Sequence, residues 1–117
     1  MNLLGIDNVF FQVGDLEQAL PFYKKLGFEV KLRLPHMQAA LLRIGTEEPG
    51  LILAQSALVT PSKLWIEVAS AKDAHKELAS GKLFEIATGW TLEIIDPWNN
   101  VMGFADYTKK PELGRKQ

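Results

Sequence analysis

The run Lys63-Leu64-Trp65-Ile66-Glu67 sets a cation, an indole and a carboxylate at alternate positions of an otherwise apolar segment. Alternate residues of a β-strand share a face, so Lys63, Trp65 and Glu67 project to one side. Lys63 and Glu67 then lie about 13 Å apart at roughly 3.3 Å per residue, too far for a close ion pair, with Trp65 between them. A lone carboxylate is costly to bury in an apolar strand, which puts Glu67 either in a cavity or beside a partner. Near the N-terminus Asn8, Phe10 and Gln12 share parity in the same way. An indole flanked by a cation and an anion on one strand face suits a flat or amphipathic small molecule. The plainer alternative makes Trp65 a core aromatic and Glu67 a surface charge.

Other chemistries lack their residues. There is no cysteine, which removes disulfides, thiolate metal sites and cysteine nucleophiles. No Ser/His/Asp arrangement, nucleophile elbow, phosphate-binding glycine loop or aromatic-basic nucleic-acid platform is identifiable. His36 falls in a Pro-His-Met loop and His75 in the middle of an expected helix, and both are read as polar surface groups. With 47% apolar residues, 23% charged residues and a net charge of -1, the chain has an ordinary globular balance. Neither a nucleic-acid nor a membrane partner is expected. Asp7 and Asn8 interrupt any secretory-type apolar run, and a cytoplasmic location is the expectation. Residues 108–117 concentrate Lys109, Lys110, Arg115 and Lys116 against Glu112, a basic polar tail read as a solvated terminus.

The elements that must position these residues repeat. Ile6–Val13 is strand-like and is followed by Asp15 and Gln18, a capping-box pair. Leu16, Ala19, Leu20, Tyr23 and Leu26 then recur at helical spacing as far as Gly27, with Pro21 expected to kink or shorten the helix. Strand-like runs follow at Phe28–Leu34, Gln38–Ile44 and Leu51–Gln55, punctuated by Pro35, Gly45 and Pro49-Gly50. The second half repeats the plan: a strand at Leu64–Val68, caps at Ser70 and Asp73, a helix over 70–80 stopped by Gly81, then strands at Leu83–Ile86, Thr91–Ile95 and Val101–Phe104. Val13 with Val68, Asp15 with Ser70, and Gly27 with Gly81 recur at offsets of 55, 55 and 54 residues. Such a constant offset marks an internal duplication of a βαβββ unit, repeat one near 3–58 and repeat two near 62–107. A ferredoxin-like sandwich is the main rival, but its unit has two strands per helix where four are counted here.

The segment from Ile6-Asp7-Asn8-Val9-Phe10-Phe11-Gln12-Val13 through Phe22-Tyr23-Lys24-Lys25-Leu26-Gly27-Phe28 resembles the opening strand and helix of the vicinal-oxygen-chelate superfamily, the glyoxalase and bleomycin-resistance group. Asp96-Pro97-Trp98-Asn99-Asn100-Val101 is similar to its terminal Asp-Pro-x-Gly-Asn turn, with Asn99 in place of glycine. The resemblance, over about residues 3–107, implies one α+β domain whose two βαβββ repeats form a cup-shaped mixed sheet. It also implies a divalent metal held by histidine and glutamate on the first and last strands of each repeat. At the matching positions stand Asn8, Lys63 and Gly103, and Leu51-Ile52-Leu53-Ala54 offers no carboxylate or imidazole. A neutral amide is a weak ligand, an ammonium has no lone pair, and glycine has no donor, so neither metal nor other cofactor is expected.

Carried onto the cup, alternation predicts a lining of Asn8, Phe10, Gln12, Lys63, Trp65, Glu67, Trp90, Glu93, Val101 and Gly103, with the parity of Glu93 open. The leading expectation is metal-independent small-molecule binding, with bleomycin-binding relatives as the nearest analogy. The alternative is a superfamily enzyme (lyase, isomerase or dioxygenase), metal-dependent or using Glu67 or Glu93. A third is a protein-interaction module. Small duplicated sheets leave long edges, and a homodimer is expected.

Overall fold

Each half of the sequence folds as the same strand, helix and three strands. A computed structural model describes residues 1–116 and divides the chain into two compact units, Met1–Ser62 and Lys63–Gln117. The first contains β1 (Asn8–Val13), α1 (Leu16–Lys25), β2 (Glu29–Leu34), β3 (Ala39–Ile44) and β4 (Glu47–Gln55). The second contains β5 (Lys63–Glu67), α2 (Ala71–Leu78), β6 (Lys82–Ile86), β7 (Gly89–Ile95) and β8 (Val101–Ala105). The sheet orders are β1-β4-β3-β2 and β5-β8-β7-β6. In each, the first strand pairs parallel with the last and the other pairs are antiparallel. This α+β duplication is the architecture expected from the paired caps and offsets.

Within each unit the helix covers one face of its sheet. In the first, alternate residues Phe11, Val13, Leu51, Leu53, Ala40 and Leu42 are buried, together with Leu16, Ala19, Leu20 and Tyr23 of α1. Tyr23 meets Phe11, Phe22 and Phe28 edge to face, which locks the helix in place. In the second, Leu92, Ile94, Met102 and Phe104 are buried with Ala71 of α2. Each fully buried aliphatic of this kind contributes roughly 1.5–3 kcal/mol. The opposite face of each sheet carries the functional candidates other than Trp90.

Both helices start with the same two devices. Asp15 accepts from Gln18 N and Ser70 from Asp73 N, each at 3.1 Å. At the end of each parallel pairing, Gln55 (opposite Val13) accepts through Oε1 from Leu16 N at 2.9 Å, and Asp106, one residue past Ala105, accepts through Oδ2 from Ala71 N at 2.8 Å. The duplication thus extends to residues that close each helix from the adjoining strand.

Three local expectations are corrected. α1 is not shortened at Pro21 and continues to Lys25, its buried stripe outweighing the one backbone hydrogen bond that proline removes. α2 ends earlier than Gly81, on Ala79 in the left-handed region (φ 51°). Gly81, itself at φ +91°, is needed because a Cβ there would lie 2.6 Å from the Glu93 carbonyl. β4 begins at Glu47, ahead of Pro49-Gly50. The β3–β4 register slips between Leu42 and Ile44, where a ladder donor at Pro49 is dispensable. At the other turn, Asn99 does adopt φ 69°, while Asp96 Oδ1 accepts from Trp98 N and Asn100 N.

Candidate functional site

On the face of the second sheet away from α2, the register defines three rows. Lys63 aligns with Val101 and Ile95; Trp65 with Gly103, Glu93 and Lys82; Glu67 with Ala105, Thr91 and Phe84. The middle row is the densest. Gly103 has no side chain, and the Trp65 indole lies across it: a Cβ at Gly103 would stand 2.6 Å from Nε1 and 2.9 Å from Cγ. From there Trp65 Nε1 donates to Glu93 Oε2 at 2.8 Å, and Lys63 Nζ reaches the same oxygen at 2.8 Å. Phe84 meets the indole edge to face at 6.4 Å, and the Lys63 ammonium lies 5.8 Å from its centroid.

This settles the parity of Glu93: it shares the face of Trp65, and its carboxylate is only 17% exposed. Burial pushes its pKa up, but hydrogen bonds from Lys63 and Trp65 and the charges of Lys63 and Lys82 outweigh that and hold it below the ordinary glutamate value. Trp65 itself stays 41% exposed. Lys63, Trp65, Glu93 and Gly103 are therefore brought together, with Val101 in the next row.

Glu67 projects to the same side but serves elsewhere. Its carboxylate accepts from Arg115 N at 2.8 Å and Arg115 Nη1 at 2.7 Å. These bonds, the backbone one foremost, lower its pKa against a smaller effect of burial. With Tyr107, Thr108, Pro111, Gly114 and Arg115 it lines an open cleft of about 350 Å³. Glu67 thus shares the face of Trp65, but its carboxylate is taken up by the chain's C-terminal segment. That segment is correspondingly not the plain solvated tail expected, since Lys109 also pairs with Glu85.

Trp90 needs a second correction. It faces α2, where the Lys72 ammonium sits 4.3 Å from its ring centroid, and so lies opposite Trp65 and Glu93. In the first unit, Asn8, Phe10 and Gln12 do share the face away from α1, where Phe10 is 55% exposed. The two amides hold their own backbone, however. Asn8 Oδ1 accepts from Gly50 N at 3.0 Å and Gln12 Oε1 from Thr60 N at 2.7 Å.

Two further residues escaped sequence reasoning. Asp106 is buried and accepts from Ala71 N, Trp90 N, Thr108 N and Thr108 Oγ1. Burial raises its pKa, and those donors lower it below the ordinary aspartate value. Aligning the two repeats on Gln55 could have found it. Thr91, on the open face, is fully buried with no hydrogen-bond partner for Oγ1, and nothing local in the sequence marks it.

The donor set does not fit a divalent metal. Among the described residues no three His, Cys, Asp or Glu side chains cluster. At the positions where the resemblance puts ligands, Asn8 Oδ1 is engaged by Gly50, Lys63 presents an ammonium, and Gly103 is covered by indole. His36 is exposed in a short 3-10 turn (Pro35–Met37), and His75 lies in the last turn of α2. No helix of the described residues is long and apolar enough to cross a membrane.

No protein-family model matches the sequence, and comparison with curated proteins finds no match. Solved structures do match in fold. A lactoylglutathione lyase from Agrobacterium tumefaciens superposes with TM-score 0.75 at 16% identity, covering 93% of this chain and 98% of that one. A superfamily member from Sphaerobacter thermophilus gives 0.74 at 17% identity, covering 89% and 98%. A bleomycin-binding protein from Streptomyces verticillus, solved with copper(II)-bleomycin, gives 0.69 at 22% identity, covering 91% and 98%.

Proposed function

Starting from a chain that has the glyoxalase/bleomycin-resistance/dioxygenase fold, we propose that it is a metal-independent small-molecule-binding protein. The observation that carries this is the half-exposed Trp65, seated on Gly103 and held by Glu93. An aromatic surface kept in one orientation, yet not packed over, binds a flat partner with little loss of side-chain freedom. The bleomycin-binding neighbour supports the reading by analogy. Catalysis by Glu67 or Glu93 is disfavoured. Both carboxylates are held ionised below their ordinary range, so each is a weak general base and has no proton to donate near neutral pH.

A fragment screen by ligand-observed NMR tests this. The expected result is a set of mutually competing planar binders that are lost in Trp65→Leu while its circular dichroism stays native. Binders unaffected by Trp65→Leu would remove the proposal. Self-association belongs to the same reading, since Leu3, Leu4, Ile6 and Phe10 are exposed. Sedimentation at micromolar concentration should then give a species of twice 13.1 kDa.

A further inference from the structure

We infer, resting on that binding reading, that the recognised molecule is a planar anion: an aromatic or heteroaromatic ring bearing a carboxylate. The ring follows from Trp65. One side of the indole rests on Gly103, Nε1 is tied to Glu93, and Phe84 braces its edge. The remaining exposed surface is flat, fixed and apolar, which a planar ring matches by offset stacking.

The charge follows from the ion pairing around it. The charged groups on this face and its margin are Lys63, Lys82, Glu93, Glu67 and Arg115, three cations against two carboxylates. Each carboxylate already holds a cation, Glu93 with Lys63 and Glu67 with Arg115. Lys82 forms no ion pair among the described residues; its ammonium lies 5.7 Å from the Phe84 ring centroid. Lys63 is 56% exposed, and an ammonium has three donors, so one bond to Glu93 leaves capacity for an acidic group. At 5.8 Å from the Trp65 centroid it is within reach of a substituent on a ring stacked there. A cationic ligand would meet carboxylates already paired and cations that repel it. A neutral ligand would gain stacking alone.

The test uses the full chain and three isosteric probes: 1-naphthoate, 1-naphthalenemethanol and 1-naphthylmethylammonium. The indole N–H resonance of Trp65, assigned by its loss in Trp65→Leu, reports binding at this face. Naphthoate should shift that resonance and bind about tenfold tighter than the alcohol, the ammonium being weakest, with the advantage shrinking as salt rises. Lys82→Gln, at an exposed position on β6, should weaken naphthoate about threefold and leave the alcohol unchanged. Equal affinities, or preference for the ammonium, would overturn the anion inference while leaving a Trp65-centred binding face intact. If none of the probes shifts the Trp65 signal at saturating concentration, or if binding survives Trp65→Leu, the binding face itself falls.

Discussion

Adding one methyl group at Gly103 asks how much the seat of Trp65 matters. A Cβ there would intrude to 2.6 Å from Nε1 and 2.9 Å from Cγ, well inside contact distance, so Gly103→Ala must drive the indole off the strand. The hydrogen bond to Glu93 goes with it. A bond to a charged acceptor is worth about 1.5–3 kcal/mol when buried and about 0.5–1.5 kcal/mol at this half-exposed place. Returning roughly 40 Å² of indole and strand to water adds about 1 kcal/mol. Against these, alanine in place of glycine restricts the unfolded chain, an offset of about 0.4–1 kcal/mol. The net expectation is destabilisation by about 1–2 kcal/mol, or a fall in Tm of roughly 3–8 °C for a chain of this size. Thermal unfolding followed by circular dichroism measures it, and a red shift in tryptophan emission should accompany it. The decisive comparison is the same substitution in a Trp65→Leu background. With no indole to displace, Gly103→Ala should there be neutral or stabilising. Equal destabilisation in both backgrounds would refute the reasoning, because the fault would then lie in the strand itself.

Thr91→Val removes a buried hydroxyl that has no partner and keeps its shape. It should leave stability unchanged or raise it by up to about 1 kcal/mol in urea unfolding, whereas a loss above 1 kcal/mol would reveal a hidden partner. Asp106→Asn puts an amide N–H₂ among four donors, and should destabilise by about 1–3 kcal/mol in the same assay. Glu93 has a folded pKa below its unfolded one, so its contribution is present above the ordinary glutamate pKa and lost as pH falls through the folded value. Lys63→Met should therefore flatten stability against pH between about pH 5 and pH 3, and an unchanged slope would show that the pair is inert.

The architecture was legible because its signals are local. Asp15, Ser70, Gly27 and the Asp96–Asn100 turn each announce an element within a few residues, and their constant offset exposed the duplication. The face of β5 was legible too, since alternation needs only neighbours. What alternation cannot see is the register of strands far apart in sequence. Glu93 meets Trp65 across 28 residues and Arg115 meets Glu67 across 48, with no nearby residue pointing to either pairing. The misplacement of Trp90 has a simpler origin: it lies three positions before Glu93, an odd spacing, so strict alternation forbids both from sharing a face. Pro21 does not shorten α1 because the buried stripe of Leu16, Ala19, Leu20 and Tyr23, which a breaker's local penalty leaves out of account, holds the helix together.

The paired helix starts carry a constraint across the duplication. In the first unit the charged group is the N-cap Asp15, and the neutral one is Gln55 on the strand; in the second the neutral group is Ser70, and the charged one is Asp106. Of the side chains that hydrogen-bond these first-turn amides, each unit thus has one carboxylate, held at a different address, while Glu17 and Asp73 add a first-turn charge to each. A helix N-terminus favours negative charge, while two carboxylates crowded onto the same amides bring repulsion and desolvation. The two addresses are therefore coupled as alternatives. Gln55→Asp alone would crowd the first-turn amides of α1 and Asp15→Ser alone would leave them only neutral acceptors beside Glu17, whereas the two together would reproduce the arrangement of the second unit and should largely cancel in a double-mutant cycle.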